Sequence, residues 1–377
     1  MGANGSPERP AERTIGSPGA ATRTAEGDPI LRRSACMLGG KTIAVVVPAH
    51  NEQLLIVRVI STMPAFVDHI IVVDDLSSDE TVARVDEQVR AQPGRVELIR
   101  HSANQGVGGA IVTGYRRALE LGDDVVAVMG GDAQMDPAEL TRVVGPVIAD
   151  QVDYTKGNRF FWSETFKVMP RHRFLGNVFL SLMSKAATGY WHVADYQSGY
   201  TAISAPVLRE LLQWKLYPRY GFPNDVLVKL NVLNARVADI PIRSIYRVGE
   251  KSGIKIWRVS PKIALLLWKG FWWRMWEKYV MRFFHPLVFF YTLGMAMLPT
   301  GLVFGLALVI ARIAGAGVAT TSAIFAAMLV TTGLQLLLFG MTSDQAQGER
   351  LTPEASAWRE IMAAARKDHE RDRTSLE

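Results

Sequence analysis

Two segments in the first half of the chain carry side chains suited to binding a nucleotide and a metal ion. Asp74 and Asp75 directly follow the apolar run His69–Val73. Because two adjacent carboxylates repel each other, we expect a base N–H, a ribose hydroxyl or a cation to offset that repulsion. Further on, Asp132 and Gln134 place a carboxylate two residues from an amide oxygen. Hard oxygen ligands of this kind suit Mg²⁺ or Mn²⁺, so the segment predicts a divalent-cation site.

Two further segments place polar residues at the end of an apolar run, and one of them contains glycine. Pro48, His50 and Glu52 form a polar turn, and Asn104 and Gly106 precede a helical pattern. A glycine lets the backbone approach a ligand closely, and the N-terminus of a helix favours phosphate. Each segment taken alone is also compatible with an ordinary strand-to-helix loop whose polar residues cap the helix.

The elements that position these segments alternate between strands and helices. The apolar runs predict strands at Thr42–Val47, His69–Val73, Val96–Arg100 and Asp124–Met129, and the intervening patterns predict helices at Glu52–Met63, Ser77–Gln92 and Gly109–Leu121. Short β-branched runs are typical of strands buried on both faces. The alternation therefore predicts an α/β fold with a mostly parallel sheet and helices on both faces. The strand carboxyl ends then share one edge, where ligands bind in such sheets.

The C-terminal third has the composition of a membrane anchor. Two uncharged apolar runs, Leu287–Ala311 and Ala319–Met341, are each long enough to cross the roughly 30 Å core of a bilayer. The preceding segment, 261–286, is rich in Trp, Phe, Lys and Arg, which predicts helices lying in the membrane interface. A packed helix of a soluble core is the alternative there. More Lys and Arg residues lie before the first run and after the second run than in the loop 312–318 between them. Both outer ends of the pair of spans are therefore expected in the cytoplasm and the loop outside.

Composition excludes several other classes of function. The net charge of +6 is accounted for by a basic N-terminal tail and by residues flanking the apolar runs, and the sequence contains no recognisable nucleic-acid-binding module. The single cysteine, Cys36, rules out an intramolecular disulfide and a cysteine-rich metal site. Residues 1–38 lack apolar periodicity and an apolar signal-peptide core, so we expect a disordered tail.

Five motifs in order carry a family resemblance. PAHNE, VVDDLSSDET, NQGVGGA, GDAQMDP and DYQSGY resemble glycosyltransferase family 2, and most of all its dolichyl-phosphate or polyprenyl-phosphate mannose (or glucose) synthase branch. The motifs cover roughly residues 42–255. The resemblance implies a GT-A fold, a nucleotide-sugar donor, a divalent cation and inversion at the anomeric carbon. By position in the motifs, it implies nucleotide binding by Pro48, His50, Glu52, Asp74, Asp75, Asn104 and Gly106.

The resemblance also assigns metal-binding, catalytic and phosphate-binding residues. Asp132 and Gln134 meet the metal, although Gly130 stands where the family usually has a first Asp, so the donor's phosphates and Asp136 would have to help. The predicted catalytic residues are Asp132, Arg159, Asp195 and Asp225. The predicted phosphate ligands are Arg159, Arg171, Arg173, Arg247 and Lys251. Asp225 corresponds in position to a catalytic base in relatives that glycosylate hydroxyls, but a lipid phosphate is already ionised near pH 7. A helix cap near Pro223 is the alternative role for Asp225.

The predicted organisation is a tail (1–38), a GT-A domain (39–260), amphipathic juxtamembrane helices (261–286), two transmembrane helices (287–311 and 319–341) and a cytoplasmic tail (342–377). The predicted activity is inverting transfer of a hexose from a GDP- or UDP-sugar to polyprenyl or dolichyl phosphate at the cytoplasmic membrane face. The partners are the donor, the lipid and the membrane, without nucleic acid, and a homo-oligomer is left open. The alternatives are a processive polysaccharide synthase, whose Gln-x-x-Arg-Trp motif is missing, and an inactive family member acting as a membrane scaffold.

Overall fold

The computed structural model describes residues 38–161, 171–243, 256–282 and 284–374. In the helical stretches 171–179, 256–260 and 367–374 it describes the backbone alone. The predicted N-terminal tail therefore lies almost entirely outside the described residues.

The centre of the protein is a seven-stranded sheet with the strand order β3-β2-β1-β4-β6-β5-β7. The strands are β1 (Ile43–Ala49), β2 (His69–Asp74), β3 (Val96–Arg100), β4 (Val125–Val128), β5 (Tyr154–Asn158), β6 (Thr201–Ser204) and β7 (Val237–Pro241). Among these strands β6 alone runs antiparallel, between β4 and β5. The predicted mostly parallel sheet is confirmed, and six carboxyl ends share one edge.

Helices cover both faces of this sheet. They are α1 (Ile56–Ser61), α2 (Thr81–Ala91), α3 (Val107–Leu121), α4 (Leu140–Ile148), α5 (Arg171–Thr188), α6 (Ala205–Leu211) and α7 (Phe222–Val232). Alternate residues of β1 serve opposite cores: Val45 and Val47 pack in the core that includes α1 and α4, and Ala44 and Val46 in the core that includes α3 and α7. This alternation explains why an uninterrupted β-branched run forms the central strand.

Helices α1 and α2 begin later than the sequence pattern predicts, because polar side chains join the two preceding loops. The backbone N–H of Glu52 donates to Thr81 Oγ1 (2.8 Å), and the N–H of Ser78 donates to Asn51 Oδ1 (2.8 Å). Such bonds compete with the first helical turn. They fix the turn after β1 against the turn after β2.

A helical hairpin follows the seven-stranded sheet and the helices that cover it. Helix α8 (Ile256–Arg274) continues into a π-helical segment, Met275–Arg282, and then come α9 (Leu287–Ile313) and α10 (Thr320–Glu349). Helices α9 and α10 pack along a seam of glycines spaced seven apart on each helix, Gly294 and Gly301 against Gly333 and Gly340. A Cβ added at Gly333 would lie 2.5 Å from the backbone N of Leu298. The small residues let the two backbones approach closely, as in membrane helix pairs.

The outer faces of this hairpin are apolar and exposed. Val303, Ile313 and Phe339 expose 69%, 82% and 62% of their surface. Within the described part of the chain, α9 and α10 are the two helices long and apolar enough to cross a membrane, and little of either is buried. A contiguous apolar surface of this size indicates a membrane or protein contact.

Residues after 341 pack against the seven-stranded sheet and its covering helices. Helix α10 extends through residues 342–349, and α11 (Ala355–Thr374) then packs beside α4, with Ile361 in the core. The N–H of Val237, in β7, donates to the carbonyl of Leu351 (2.9 Å). The predicted C-terminal tail is thus largely helical and packed.

Candidate active site

The polar segments singled out in the sequence meet along the carboxyl edge of the sheet. From β3 towards β5 the edge carries, in spatial order, the loops that contain Gly106, Asp75, Glu52, Asp132 and Asp195, with Arg159 after β5. The turn after β1 joins its two neighbours. Its Ala49 carbonyl accepts from Asp75 N (2.9 Å), and its Pro48 carbonyl accepts from Gly131 N (3.3 Å). One continuous surface therefore connects the predicted nucleotide residues with the predicted metal residues.

Asp75 organises the loop after β3. Its buried carboxylate accepts from the N–H groups of Gln105 (2.8 Å) and Gly106 (2.7 Å) and lies 2.8 Å from His101 Nδ1. Burial by itself raises the pKa of Asp75, but the bonds from His101 and the two N–H groups outweigh it and hold the pKa below its usual value. Asp75 is therefore an anion that shapes the loop opening helix α3.

The other predicted nucleotide residues surround this loop. The Asp75 carbonyl accepts from His50 Nδ1 (2.9 Å) and from Asn104 Nδ2 (3.2 Å), so both side chains are fixed beside it. Asp74 accepts from Ser77 N at 3.2 and 3.3 Å and thereby stabilises the turn after β2. Gly106 has a positive φ of 86°, and a Cβ there would lie 2.6 Å from the Pro218 carbonyl. Only glycine fits at this point.

Asp132 and Glu52, from the loops after β4 and β1, are close enough for their charges to interact. Asp132 Oδ1 accepts from Gln134 N at 3.2 Å. Burial, then Asp132 and Asp79, raise the pKa of Glu52 to about 7, partly offset by His50. Burial is the largest cause of this shift; the part that comes from Asp132 and Asp79 is charge repulsion, which a bound cation would offset.

The oxygen-bearing side chains around Asp132 suit a cation that is also bound by oxygens of a ligand. Gly130 faces the Asp132 carboxylate, and a Cβ at position 130 would lie 3.0 Å from Asp132 Oδ1. Among the described residues, no three His, Cys, Asp or Glu side chains cluster as a complete metal site. Hard cations usually keep several non-protein oxygens when they bind phosphates. The carboxylate of Asp132 therefore fits a cation whose remaining ligands come from a bound molecule, and the metal role of Gln134 stays a prediction.

Arg159 and Asp195 form an ion pair at the other end of the edge. Arg159 donates from Nε (2.6 Å) and Nη2 (3.0 Å) to the two oxygens of Asp195, whose side chain is fully buried. The N–H groups of Gln197 and Ser198 also donate to Asp195, both at 3.1 Å. Burial raises the pKa of Asp195, but Arg159 outweighs it, so the pKa lies below the usual value. Asp195 therefore holds the half-buried Arg159 in place.

A charged cluster beneath this pair was missed by the sequence reasoning. Lys156 is completely buried and donates to the Ser198 carbonyl, while Asp239 accepts from Asn158 Nδ2 (2.7 Å). Burial lowers the pKa of Lys156 to about 8, against the opposing effect of Asp195 and Asp239. Burial, with Asp195, raises the pKa of Asp239 to about 7. The available signal was a lysine within a strand whose five residues are all buried.

Asp225 lies on the first turn of α7. Its Oδ2 accepts from Tyr217 N (2.7 Å) and from Lys229 Nζ (2.5 Å). It lines a groove of about 350 Å³ between α7 and α8, together with Trp214, Lys269 and Trp273. The contacts described for Asp225 are those of a residue that anchors the 214–217 loop.

The remaining predicted phosphate ligands can be placed only in part. Arg171 and Arg173 lie at the start of α5, where the backbone alone is described. Arg247 and Lys251 lie outside the described residues. Their predicted roles stay predictions.

Comparison with known proteins decides the family. Residues 44–212 match the model of glycosyl transferase family 2. The UDP-N-acetylglucosamine–dolichyl-phosphate N-acetylglucosaminyltransferase of Methanococcus voltae is 33% identical over 223 residues, which are 55% of this chain and 88% of that protein. The chain belongs to glycosyltransferase family 2. Its sheet and loop arrangement is accordingly a GT-A-like fold, and the protein is a glycosyltransferase.

Two further family members are similar to this glycosyltransferase. The polyprenol monophosphomannose synthase of Mycolicibacterium smegmatis is 29% identical, over 58% of this chain and 84% of that protein. The undecaprenyl-phosphate mannosyltransferase of Micrococcus luteus is 28% identical, over 55% and 86%. Among solved structures, glucosyl-3-phosphoglycerate synthase from Mycobacterium tuberculosis aligns with a TM-score of 0.47 and 22% identity, over 66% of this chain and 86% of that one.

Proposed function

We propose that this glycosyltransferase moves a hexose from a GDP- or UDP-sugar to a polyprenyl or dolichyl phosphate, with inversion, at the cytoplasmic face of the cell membrane. The observation that carries the proposal is the exposed apolar hairpin α9–α10, which belongs to the same compact unit as the sheet edge. A soluble acceptor gives no reason for such a surface. The relatives named for prenyl-phosphate acceptors support the same class of substrate.

The reaction needs little proton transfer. An oxygen of the lipid phosphate forms a bond to the anomeric carbon, and the bond from that carbon to the nucleoside diphosphate breaks, the electron pair leaving with the diphosphate. A phosphate monoester with a second pKa near 6 is already largely a dianion at pH 7. Catalysis then depends on positioning and on charge stabilisation. A general base such as Asp225 is unnecessary in this proposal.

The residues of the edge divide into a donor side and an acceptor side. The loop organised by Asp75 would hold the nucleoside, with the side chains of His50 and Asn104 fixed beside it. Arg159, held by Asp195, would bind phosphate through its guanidinium group. Asp132 and Gln134 would hold Mg²⁺ or Mn²⁺, which neutralises negative charge on the leaving diphosphate when bound.

The proposal is tested with radiolabelled UDP- and GDP-sugars, vesicles containing prenyl phosphate, and Mn²⁺. Label that enters the organic phase as a mild-acid-labile lipid supports it. Insoluble polymer would instead indicate a processive synthase, and no incorporation from any donor would indicate an inactive scaffold. Either of these two results overturns the proposal.

A matched pair of variants separates chemistry from folding. Asp132→Asn is isosteric and should reduce turnover at least a hundredfold by removing a ligand charge at the diphosphate. Asp150→Asn, at a residue exposed in its surface pair with Lys41, should leave turnover unchanged. Wild-type activity in Asp132→Asn would remove the metal assignment.

A further inference from the structure

A buried ion pair joins the hairpin to α8, next to the segment that follows α5. Arg274, at the end of α8, donates to both oxygens of Asp344 in α10, at 2.8 Å each, and both side chains are fully buried. Asp344 also accepts from Tyr279 Oη (3.2 Å) and from Trp191 Nε1 (3.3 Å). Four donors from three parts of the chain therefore converge on one carboxylate, close to the end of the predicted membrane span.

The backbone around this pair is closely fitted to it. Arg274 Nη2 also donates to the Ala186 carbonyl at 2.7 Å. Gly189 has a positive φ of 74°, and a Cβ there would lie 2.3 Å from Arg274 Nη1. A Cβ at Gly348, one turn after Asp344, would lie 2.4 Å from the Gly189 carbonyl. At Gly189 and Gly348, where α10 meets the segment after α5, there is therefore no room for a larger side chain.

The same contact leads directly to the acceptor side of the sheet edge. Trp191, which donates to Asp344, is four residues before Asp195, which holds Arg159. The intervening backbone is fixed at several points. Lys185 Nζ donates to the carbonyls of Trp191 (2.5 Å) and Val193 (2.9 Å), and Ala194 N donates to Asp239 (3.1 Å). Segment 191–195 is therefore held at one end by the hairpin and at the other by the candidate site.

Stability alone does not account for an ion pair in this place. Removing two charges from water costs several kcal/mol each, and a well-packed apolar pair of similar volume is often as stable or more so. What the charged pair adds is a defined geometry, since the guanidinium and the carboxylate fit in one bidentate orientation. We propose that Arg274 and Asp344 are positioning residues that fix the membrane hairpin relative to segment 191–195. In this way a long-chain lipid phosphate is presented to Arg159. The inference rests on the proposed function.

The test compares long and short acceptors in a variant that should stay folded. In the double variant Arg274→Met/Asp344→Leu, the ion pair is replaced by apolar side chains and no unpaired charge is left buried. The thermal unfolding midpoint should therefore fall less than in Arg274→Met alone, although Tyr279 and Trp191 lose an acceptor. With a C55 prenyl phosphate in vesicles, KM should rise about tenfold. With a water-soluble two-isoprene phosphate, kcat and KM should change less than twofold, as should KM for the donor. Asp150→Asn is the control for a substitution in an exposed ion pair elsewhere.

A second measurement is independent of turnover. Hydrogen exchange of residues 189–198 in vesicle-bound protein should be faster in the double variant than in the wild type, because the contact between Trp191 and Asp344 is lost. Equal loss of activity on both acceptors would show a merely structural role and overturn the inference. Unchanged KM values together with unchanged exchange would also overturn it. If the wild type transfers sugar to neither acceptor, the proposed function fails, and the exchange experiment still decides whether the pair fixes segment 191–195.

Discussion

Asp195 is expected to act only through Arg159, and a double-mutant cycle tests this. In Asp195→Asn, one carboxylate oxygen becomes an NH₂ group. If the amide oxygen keeps the bonds from Gln197 and Ser198, the NH₂ group faces the Nε–H and backbone N–H of Arg159, which now meet a donor. A hydrogen bond between charged groups contributes about 1.5–3 kcal/mol, and the partial exposure of Arg159 favours the lower half of that range. About 2 kcal/mol corresponds to a loss of roughly thirtyfold in kcat/KM.

The assay measures kcat/KM with prenyl phosphate in vesicles for the wild type, Asp195→Asn, Arg159→Ala and the double variant. Circular dichroism melts confirm that each protein is folded. If Asp195 only positions Arg159, the double variant is no slower than Arg159→Ala, and the coupling energy is about 2 kcal/mol. Losses that add to within about 0.5 kcal/mol would refute the reasoning and indicate that Asp195 itself contacts a substrate.

Three further predictions concern the metal site, the hairpin and pH. Gly130→Asp brings a second carboxylate beside Asp132, after a small shift of the side chains. Mn²⁺ titration should therefore give a several-fold lower Kd than for the wild type. An unchanged or higher Kd would contradict this prediction. Gly333→Leu should prevent close packing of α9 against α10 and lower the thermal unfolding midpoint in detergent. The control Val303→Leu, on the exposed face, should leave the midpoint unchanged. Equal midpoints for the two variants would argue against the glycine seam. The pKa of Glu52 is about 7 when folded and about 4.5 when unfolded, so its contribution to stability is complete below pH 4.5 and lost as the pH rises through 7. Glu52→Gln should therefore show a smaller drop in Tm between pH 5 and pH 8 than the wild type, and an equal drop would contradict the assignment.

The strands and the location of the site could be predicted because local sequence determines them. The strand β3 has the predicted bounds, Val96–Arg100, and β1 is the β-branched run expected for a strand buried on both faces. Once the sheet is parallel, its topology brings the ends of β1, β2 and β4 to one edge. The convergence of Asp75 and Asp132 on one surface follows from this without any further information.

The partners of the site residues could not be predicted, because they come from distant parts of the chain. Nothing in the sequence around Asp195 indicates that its carboxylate is occupied by Arg159, 36 residues earlier. The same holds for His101 on Asp75, which is 26 residues away. The late start of α1 has the same origin, since a side chain from α2, Thr81, takes the N–H of Glu52. Tertiary hydrogen bonds therefore decide which polar residues remain available to a substrate.

The seven-residue spacing of the glycines in the hairpin has a consequence for mutational tolerance. Gly294 and Gly301 each admit no substituent, because a Cβ there would come within 2.8 Å of α10. Residues on the outward faces meet no protein neighbour that fixes their shape, so any apolar side chain serves there. A saturation library of α9 should accordingly retain glycine at 294 and 301 and accept any apolar residue at the outward positions.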